Sequence, residues 1–123
     1  MTDLVVCMGS GKGTWAYVYQ LIEAERWERV FILTSPFFVE KIGLRKPHVH
    51  IIPFDDKLTV EQLSEEYTKQ LKPHLSGDVA VNFVSGDGRE HLALVGALLK
   101  LGVGLRFVHL TDKGVKEVLS LQL

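Results

Sequence analysis

Residues 3–15, DLVVCMGSGKGTW, pass from an apolar run through a glycine-rich turn carrying one lysine into a helical pattern. The run is short and almost continuous, as a strand buried on both faces should be. Beyond the turn, Trp15, Val18, Tyr19 and Ile22 recur at i, i+3, i+4 and i+7, one buried stripe of a helix. Strand, glycine turn and helix together open an α/β fold. The turn is not a kinase phosphate loop. The pattern G-x-x-x-x-G-K-[ST] needs a glycine at residue 6, and that residue is Val6, inside the strand. The nucleoside-monophosphate kinase variant with GKGT matches from Gly9 onward, but this sequence lacks the same first glycine. A dinucleotide fingerprint fails as well: G-x-G-x-x-G from Gly9 requires glycine or alanine at Thr14, and the second strand ends in Thr34 and Ser35 without a carboxylate for a ribose.

Similar apolar runs follow at 29–34 (RVFILT), 48–54 (HVHIIPF), 79–85 (VAVNFVS) and 105–111 (LRFVHLT). Helical patterns separate them. A short helix starts at Pro36, a residue suited to a first helical position. The next opens with Thr59 and Gln62 as a capping box, continues through Val60, Leu63, Tyr67 and Leu71, and stops at Pro73. Another spans about 89–101. TDKG after the fifth run marks a tight turn, and VKEVLSL (115–121) reads as a short strand pairing back antiparallel. Alternating strands and helices with right-handed crossovers predict a doubly wound, mainly parallel sheet of order 3-2-1-4-5 closed by a C-terminal antiparallel hairpin strand. Residues 1–123 form a single domain, long enough to bury roughly two thirds of its unfolded surface.

In that order the first and fourth strands are neighbours whose following helices lie on opposite faces, so a crevice opens between their loops. Both loops are glycine-rich: Gly9-Ser10-Gly11-Lys12-Gly13 and Ser85-Gly86-Asp87-Gly88-Arg89. Glycine permits φ > 0 and removes the Cβ that keeps a ligand off the backbone, so successive N–H groups can point into one concavity. Lys12, Arg89 and His91 add charge or donors; Ser10, Thr14 and Ser85 add hydroxyls. This is equipment for a phosphate or another oxyanion, against the plain reading that glycines here only make turns. Asp87 either accepts from a ribose hydroxyl or base amine, which points to a nucleotide, or stabilises its own turn. Thr34 and Ser35 either line the pocket edge or cap the next helix.

Formal net charge is −1, so no basic stripe grips long DNA or RNA. Cys7 is the only cysteine and reads as a buried thiol in a reducing compartment. No run reaches the ~18 apolar residues of a membrane span, and no basic segment precedes the first strand, which predicts a cytoplasmic protein without membrane partners. Asn82 is the sole asparagine, and scarce thermolabile amides fit a hot habitat. The fourth helix reads LALVGALL over 92–99 with no charge, so a second surface must cover it. The simplest cover is another copy about a twofold; the C-terminal segment is the alternative. His48 and His50 alternate along one strand and face one side, but nothing completes a metal set, and no cofactor is called for. His74 reads as a solvated helix end, His109 as a satisfied buried histidine, and Trp27, Phe37 and Phe38 as packing residues.

The pattern resembles the CARF domains, Rossmann-like sensors of CRISPR systems that bind cyclic oligoadenylates. The likeness covers nearly the whole chain in topology and is sharpest at DVAVNFVSGDGREHLALVGALL (78–99), where many members carry a strand ending in Asn or Asp, a Thr-Gly-Gly-x-Lys loop and a helix at a dimer interface. Here Ser85 stands for the threonine, Asp87 separates Gly86 from Gly88, Arg89 replaces the lysine, and Asn82 lies one residue further upstream. Ser10 and Lys12 match the first-strand loop. The resemblance implies a homodimer that binds the ring across its twofold through Gly9 to Thr14, Thr34, Ser35 and Ser85 to Arg89. No effector domain is attached, so it implies a sensor or sponge, or a metal-independent ring nuclease in antiviral defence. For cleavage, Ser10 and Ser85 would hold the ribose in line, Lys12 and Arg89 would stabilise developing charge, and His91 would shuttle a proton. The rival readings are a one-chain binder of a small nucleotide or phosphate, and a structural subunit whose loops bind nothing.

Overall fold

The computed structural model describes residues 2–118, apart from the side chain of Lys12. Six strands, β1 (Asp3–Met8), β2 (Val30–Thr34), β3 (Val49–Pro53), β4 (Asp78–Asn82), β5 (Gly104–Thr111) and β6 (Gly114–Glu117), form one sheet in the order β3-β2-β1-β4-β5-β6. All neighbours are parallel except β5 and β6. The expected order and hairpin are both present; residues 119–121, which the sequence assigns to the last strand, lie outside the described residues.

Alternation along β1 divides the core. Leu4, Val6 and Met8 face α1 (Trp15–Ala24), with Val18, Leu21 and Ile22. Val5 and Cys7 face α2 (Val60–Leu71) and α3 (Gly88–Leu101), with Leu63, Leu71, Leu94 and Leu98. The helices that follow β1 and β4 therefore lie on opposite faces, as the crevice requires. β1 and β2 are buried at every residue, whereas β3, at the edge, is half-covered and ends in Pro53, a residue tolerated at a sheet edge. The capping box of α2 is complete: Thr59 Oγ1 accepts from Gln62 N at 3.2 Å, and Gln62 Oε1 accepts from Thr59 N at 3.0 Å.

Four local expectations change. β4 stops at Asn82, not at residue 85, because its side chain takes over the ladder: Nδ2 donates to Val108 O at 2.9 Å and Oδ1 accepts from Val84 N at 3.1 Å. His48 and His50 do not both lie along the strand. His48 sits in the turn before β3, while His50, within it, stacks on Phe31 at 5.4 Å. Phe37 and Phe38 are not both core. The 3₁₀ helix Pro36–Lys41 turns neighbours about 120° apart, so Phe38 packs edge-on against Trp15 while Phe37 stays 68% exposed. Finally, α2 covers one flank of α3, where a Cβ on Gly96 would lie 3.1 Å from Ser64 Oγ. Leu92 and Leu99 remain exposed on the outer side, with Val95 between them.

Candidate functional site

The loop after β1 is folded by its own carbonyls. Gly9 O accepts from Trp15 Nε1 at 2.8 Å, and Gly11 O accepts from Thr14 N at 3.0 Å. The two glycine loops are joined through Ser85, which is 1% exposed: its Oγ accepts from Gly9 N at 3.1 Å and lies 2.7 Å from Thr14 Oγ1. Thr14 Oγ1 is also 2.6 Å from Gly11 O. A carbonyl only accepts, so the threonine proton goes to Gly11 and the Ser85 proton to Thr14. Backbone then meets backbone, since a Cβ on Gly9 would lie 2.9 Å from Gly86 Cα.

The second loop is closed by a cap. Asp87 Oδ1 accepts from Glu90 N at 2.8 Å, and Glu90 Oε1 accepts from Asp87 N at 2.9 Å, a capping box that starts α3. The spacing D-x-x-E at 87–90 carried this signal. Gly86 has φ +92°, and a Cβ there would meet Cys7 Cβ at 2.9 Å, Glu90 Oε1 at 3.0 Å and His91 Nε2 at 3.1 Å. His91 Nε2 lies 2.7 Å from Ser85 O and therefore carries the ring proton, and its imidazole packs on Phe83. Burial raises the Glu90 carboxyl above the usual glutamate range; the Asp87 charge adds to this, while the Asp87 N–H, Arg89 and His91 oppose it. Beneath the loop, burial pushes the Cys7 thiol and the Tyr67 hydroxyl up, helped by the Glu90 and Asp87 charges. Tyr67 Oη has no hydrogen-bond partner among the described residues.

Between the loops lies a cavity of about 290 Å³, lined by Gly9, Ser10, Gly11, Gly86, Asp87, Arg89 and Glu90, with Met8, Ser35 and Phe38 on one side and Asp56 from the β3–α2 loop. Of the residues expected at the site, Gly9, Ser10, Gly11, Ser35, Gly86, Asp87 and Arg89 line it. Thr14 and Ser85 lock the loops instead. Thr34 is wholly buried and donates to Met8 O at 2.8 Å, and His91 is held by Ser85. Gly13 and Gly88 stand in open space, and the Lys12 side chain lies outside the described residues. Arg89 is turned onto the β3–α2 loop: Nη2 donates to Asp56 O at 2.8 Å and Nη1 to Leu58 O. Asp56 and Glu90 were missed, the first because only strand order brings its loop here.

The lining is polarised. Asp56, Asp87 and Glu90 make the lining acidic, with one oxygen each of Asp87 and Glu90 engaged in the α3 cap, and Arg89 is partly spent on carbonyls. The N–H groups of Ser10, Gly11, Gly86 and Gly88 donate to no acceptor among the described residues. Amides at the rim suit oxyanions, whereas the carboxylates suit N–H or O–H donors such as a ribose hydroxyl or base amine. No family model matches the chain, and no curated protein is significantly similar to it. Among the described residues no group of three or more His, Cys, Asp or Glu is arranged to hold a metal, and no helix is long and apolar enough to cross a membrane.

Proposed function

We propose that this chain is a CARF-like domain that binds a cyclic oligoadenylate across a homodimer, as a sensor or sponge. The observation that carries the reading is the contact of Gly9 with Gly86 at the β1/β4 switch point, which brings both loops to one cavity lined by Ser10, Gly11 and Gly86, whose N–H groups donate to no acceptor among the described residues. Phosphates fit the amides, and the carboxylates fit ribose and adenine donors. The second copy would pack on the apolar stripe of α3 formed by Leu92 and Leu99, each 64% exposed, with half-buried Val95 between them.

Binding is favoured over ring cleavage because His91, the proton shuttle that cleavage would use, is already held by the Ser85 carbonyl, and the Ser85 hydroxyl is taken up by Gly9 N and Thr14. The experiment is to incubate pure protein with labelled cyclic tetra-adenylate plus chelator, measure retention, and look for linear product. Retention by a dimer without product is the expected result. Linear product would restore the nuclease reading, and a monomer that retains nothing would overturn the proposal. A one-chain mononucleotide binder is the second reading, favoured by the cavity's volume of about 290 Å³, at the small end for a ligand site; it predicts one ligand per chain, against one ring per two chains.

A further inference from the structure

Beside the loop cavity runs a second groove of about 660 Å³, between Ser35, Pro36 and Phe37 on one side and Pro53 to Asp56, Leu58 and Glu66 on the other. Ser35 and Asp56 line both spaces, so the two adjoin. We propose that this groove takes an amino-bearing nucleobase of the adenine type, stacked on Phe37 and read by the Asp56 carboxylate. The inference rests on the reading above, in which the glycine loops hold the phosphates.

Three observations point there. Phe37 lines the groove and is 68% exposed at the same end of the sheet as the glycine loops, so most of its side chain is available to a ligand. Its neighbours are Phe38, edge-to-face at 5.2 Å, and Lys41, whose Nζ sits 3.8 Å from the ring centroid. The floor is apolar, with Phe54 and Leu58, while the rim carries Asp55, Asp56 and Glu66. Asp55 is occupied by Lys57 N at 2.9 Å and Glu66 by Gln70 Nε2 at 3.2 Å, whereas the Asp56 carboxylate has no partner among the described residues. The groove is lined by no glycine-loop residue, and its unpartnered Asp56 carboxylate accepts from an exocyclic amine, so the groove suits the base end of a nucleotide and the loop cavity the phosphate end. The spacing agrees: β1 and β3 are two strands apart, about 10 Å, a span matching the reach from a phosphate to the far edge of its base. Base stacking on an aromatic ring is sequence-tolerant, so Asp56 carries the discrimination.

The test titrates the full chain with cyclic tetra-adenylate, cyclic tetra-uridylate and AMP, using wild type, Phe37→Ala, Phe37→Trp and Asp56→Asn, with thermal unfolding to confirm that each variant folds. The expected result is tighter binding of the adenine ring than the uracil ring, a loss of about 10- to 100-fold in Phe37→Ala with recovery in Phe37→Trp, and a reduced adenine preference in Asp56→Asn. Equal binding of both rings, or wild-type affinity in Phe37→Ala, overturns the groove assignment and leaves ring binding standing. Binding of AMP that depends on Phe37, with no binding of either ring, keeps the groove and removes the cyclic ligand. Absence of any adenine binding overturns both.

Discussion

Gly9 and Gly86 pack backbone against backbone, so closely that a Cβ on the first would come within 2.9 Å of the Cα of the second. Neither residue has room for a side chain, and for Gly86 the obstacle is double. Its φ of +92° is strained for any L-residue, and an added Cβ would press on Cys7 Cβ at 2.9 Å, in the core of the β1 strand. Gly86→Ala should therefore cost about 2 kcal/mol or more of stability, and Gly9→Ala somewhat less, because only the loop has to shift. Urea unfolding measures both. A Gly86→Ala variant within 0.5 kcal/mol of wild type, roughly the scatter of neutral surface changes, would mean that the loops are not locked together.

Ser85 predicts a coupled pair. Its hydroxyl satisfies Gly9 N and contacts Thr14 Oγ1, so Ser85→Ala strands a poorly solvated N–H and should destabilise by about 1–3 kcal/mol. Thr14→Val removes the other end of the chain. Because both changes break one network, the double variant should lose clearly less than the sum of the singles. Strict additivity in a denaturation cycle would show that the two hydroxyls act independently.

The strand order was legible in the sequence because buried parallel strands leave continuous apolar runs at 4–8, 30–34 and 79–82, and helices between them leave stripes and caps. The meeting of Gly9 with Gly86 followed from that order alone. Side-chain roles were less legible. Ser85, Thr14 and His91 looked like ligand groups, yet hydroxyls and imidazoles in tight turns satisfy backbone first, and which partner wins depends on distances of a few tenths of an ångström. Asp56 was invisible because it lies 30 residues from Gly86 and reaches the cavity only through the β3–α2 loop, which Arg89 draws in.

Glu90 gives stability a specific pH dependence. Its carboxyl titrates above the 4.5 of a free glutamate, chiefly because it is buried. The folded state then holds the proton more tightly than the unfolded one, so this group's contribution is full below about pH 4.5 and is lost as pH rises through the higher folded value. Glu90→Gln keeps an oxygen to accept from Asp87 N but cannot ionise. The stability of the variant relative to wild type should accordingly increase from pH 4.5 upward and level off once wild-type Glu90 is ionised. A difference that is flat from pH 4 to 8, measured by denaturant melts, would contradict this.

Arg89 tests whether charge or shape matters at the loop. Its guanidinium spans the carbonyls of Asp56 and Leu58, a fork that an ammonium cannot reproduce. Arg89→Lys should behave like Arg89→Ala, each losing about 1 kcal/mol and loosening the β3–α2 loop. Amide exchange at Lys57 and Leu58 reads the loosening directly. Faster exchange in Arg89→Ala but not in Arg89→Lys would show that positive charge alone holds the loop.

The outer stripe of α3 is where the proposed dimer can be tested. Leu92 and Leu99 are each 64% exposed and two turns apart, with half-buried Val95 between them, while the opposite side of the helix carries Ala93, Leu94, Ala97 and Leu98 into the sheet. Burying a leucine fully is worth about 1.5–3 kcal/mol, so two copies sharing this stripe gain four such leucines about a twofold. Leu92→Asp with Leu99→Asp should convert a dimer into a monomer in sedimentation at micromolar concentration, with unfolding midpoints extrapolated to low concentration unchanged, because neither side chain supports the monomer core. The same variant should lose cyclic tetra-adenylate yet keep AMP, since in the proposed complex the ring spans both protomers while the cavity of a single chain stays intact. A wild-type chain already monomeric at those concentrations, or a double variant that still binds the ring at full affinity, would remove the twofold from the site.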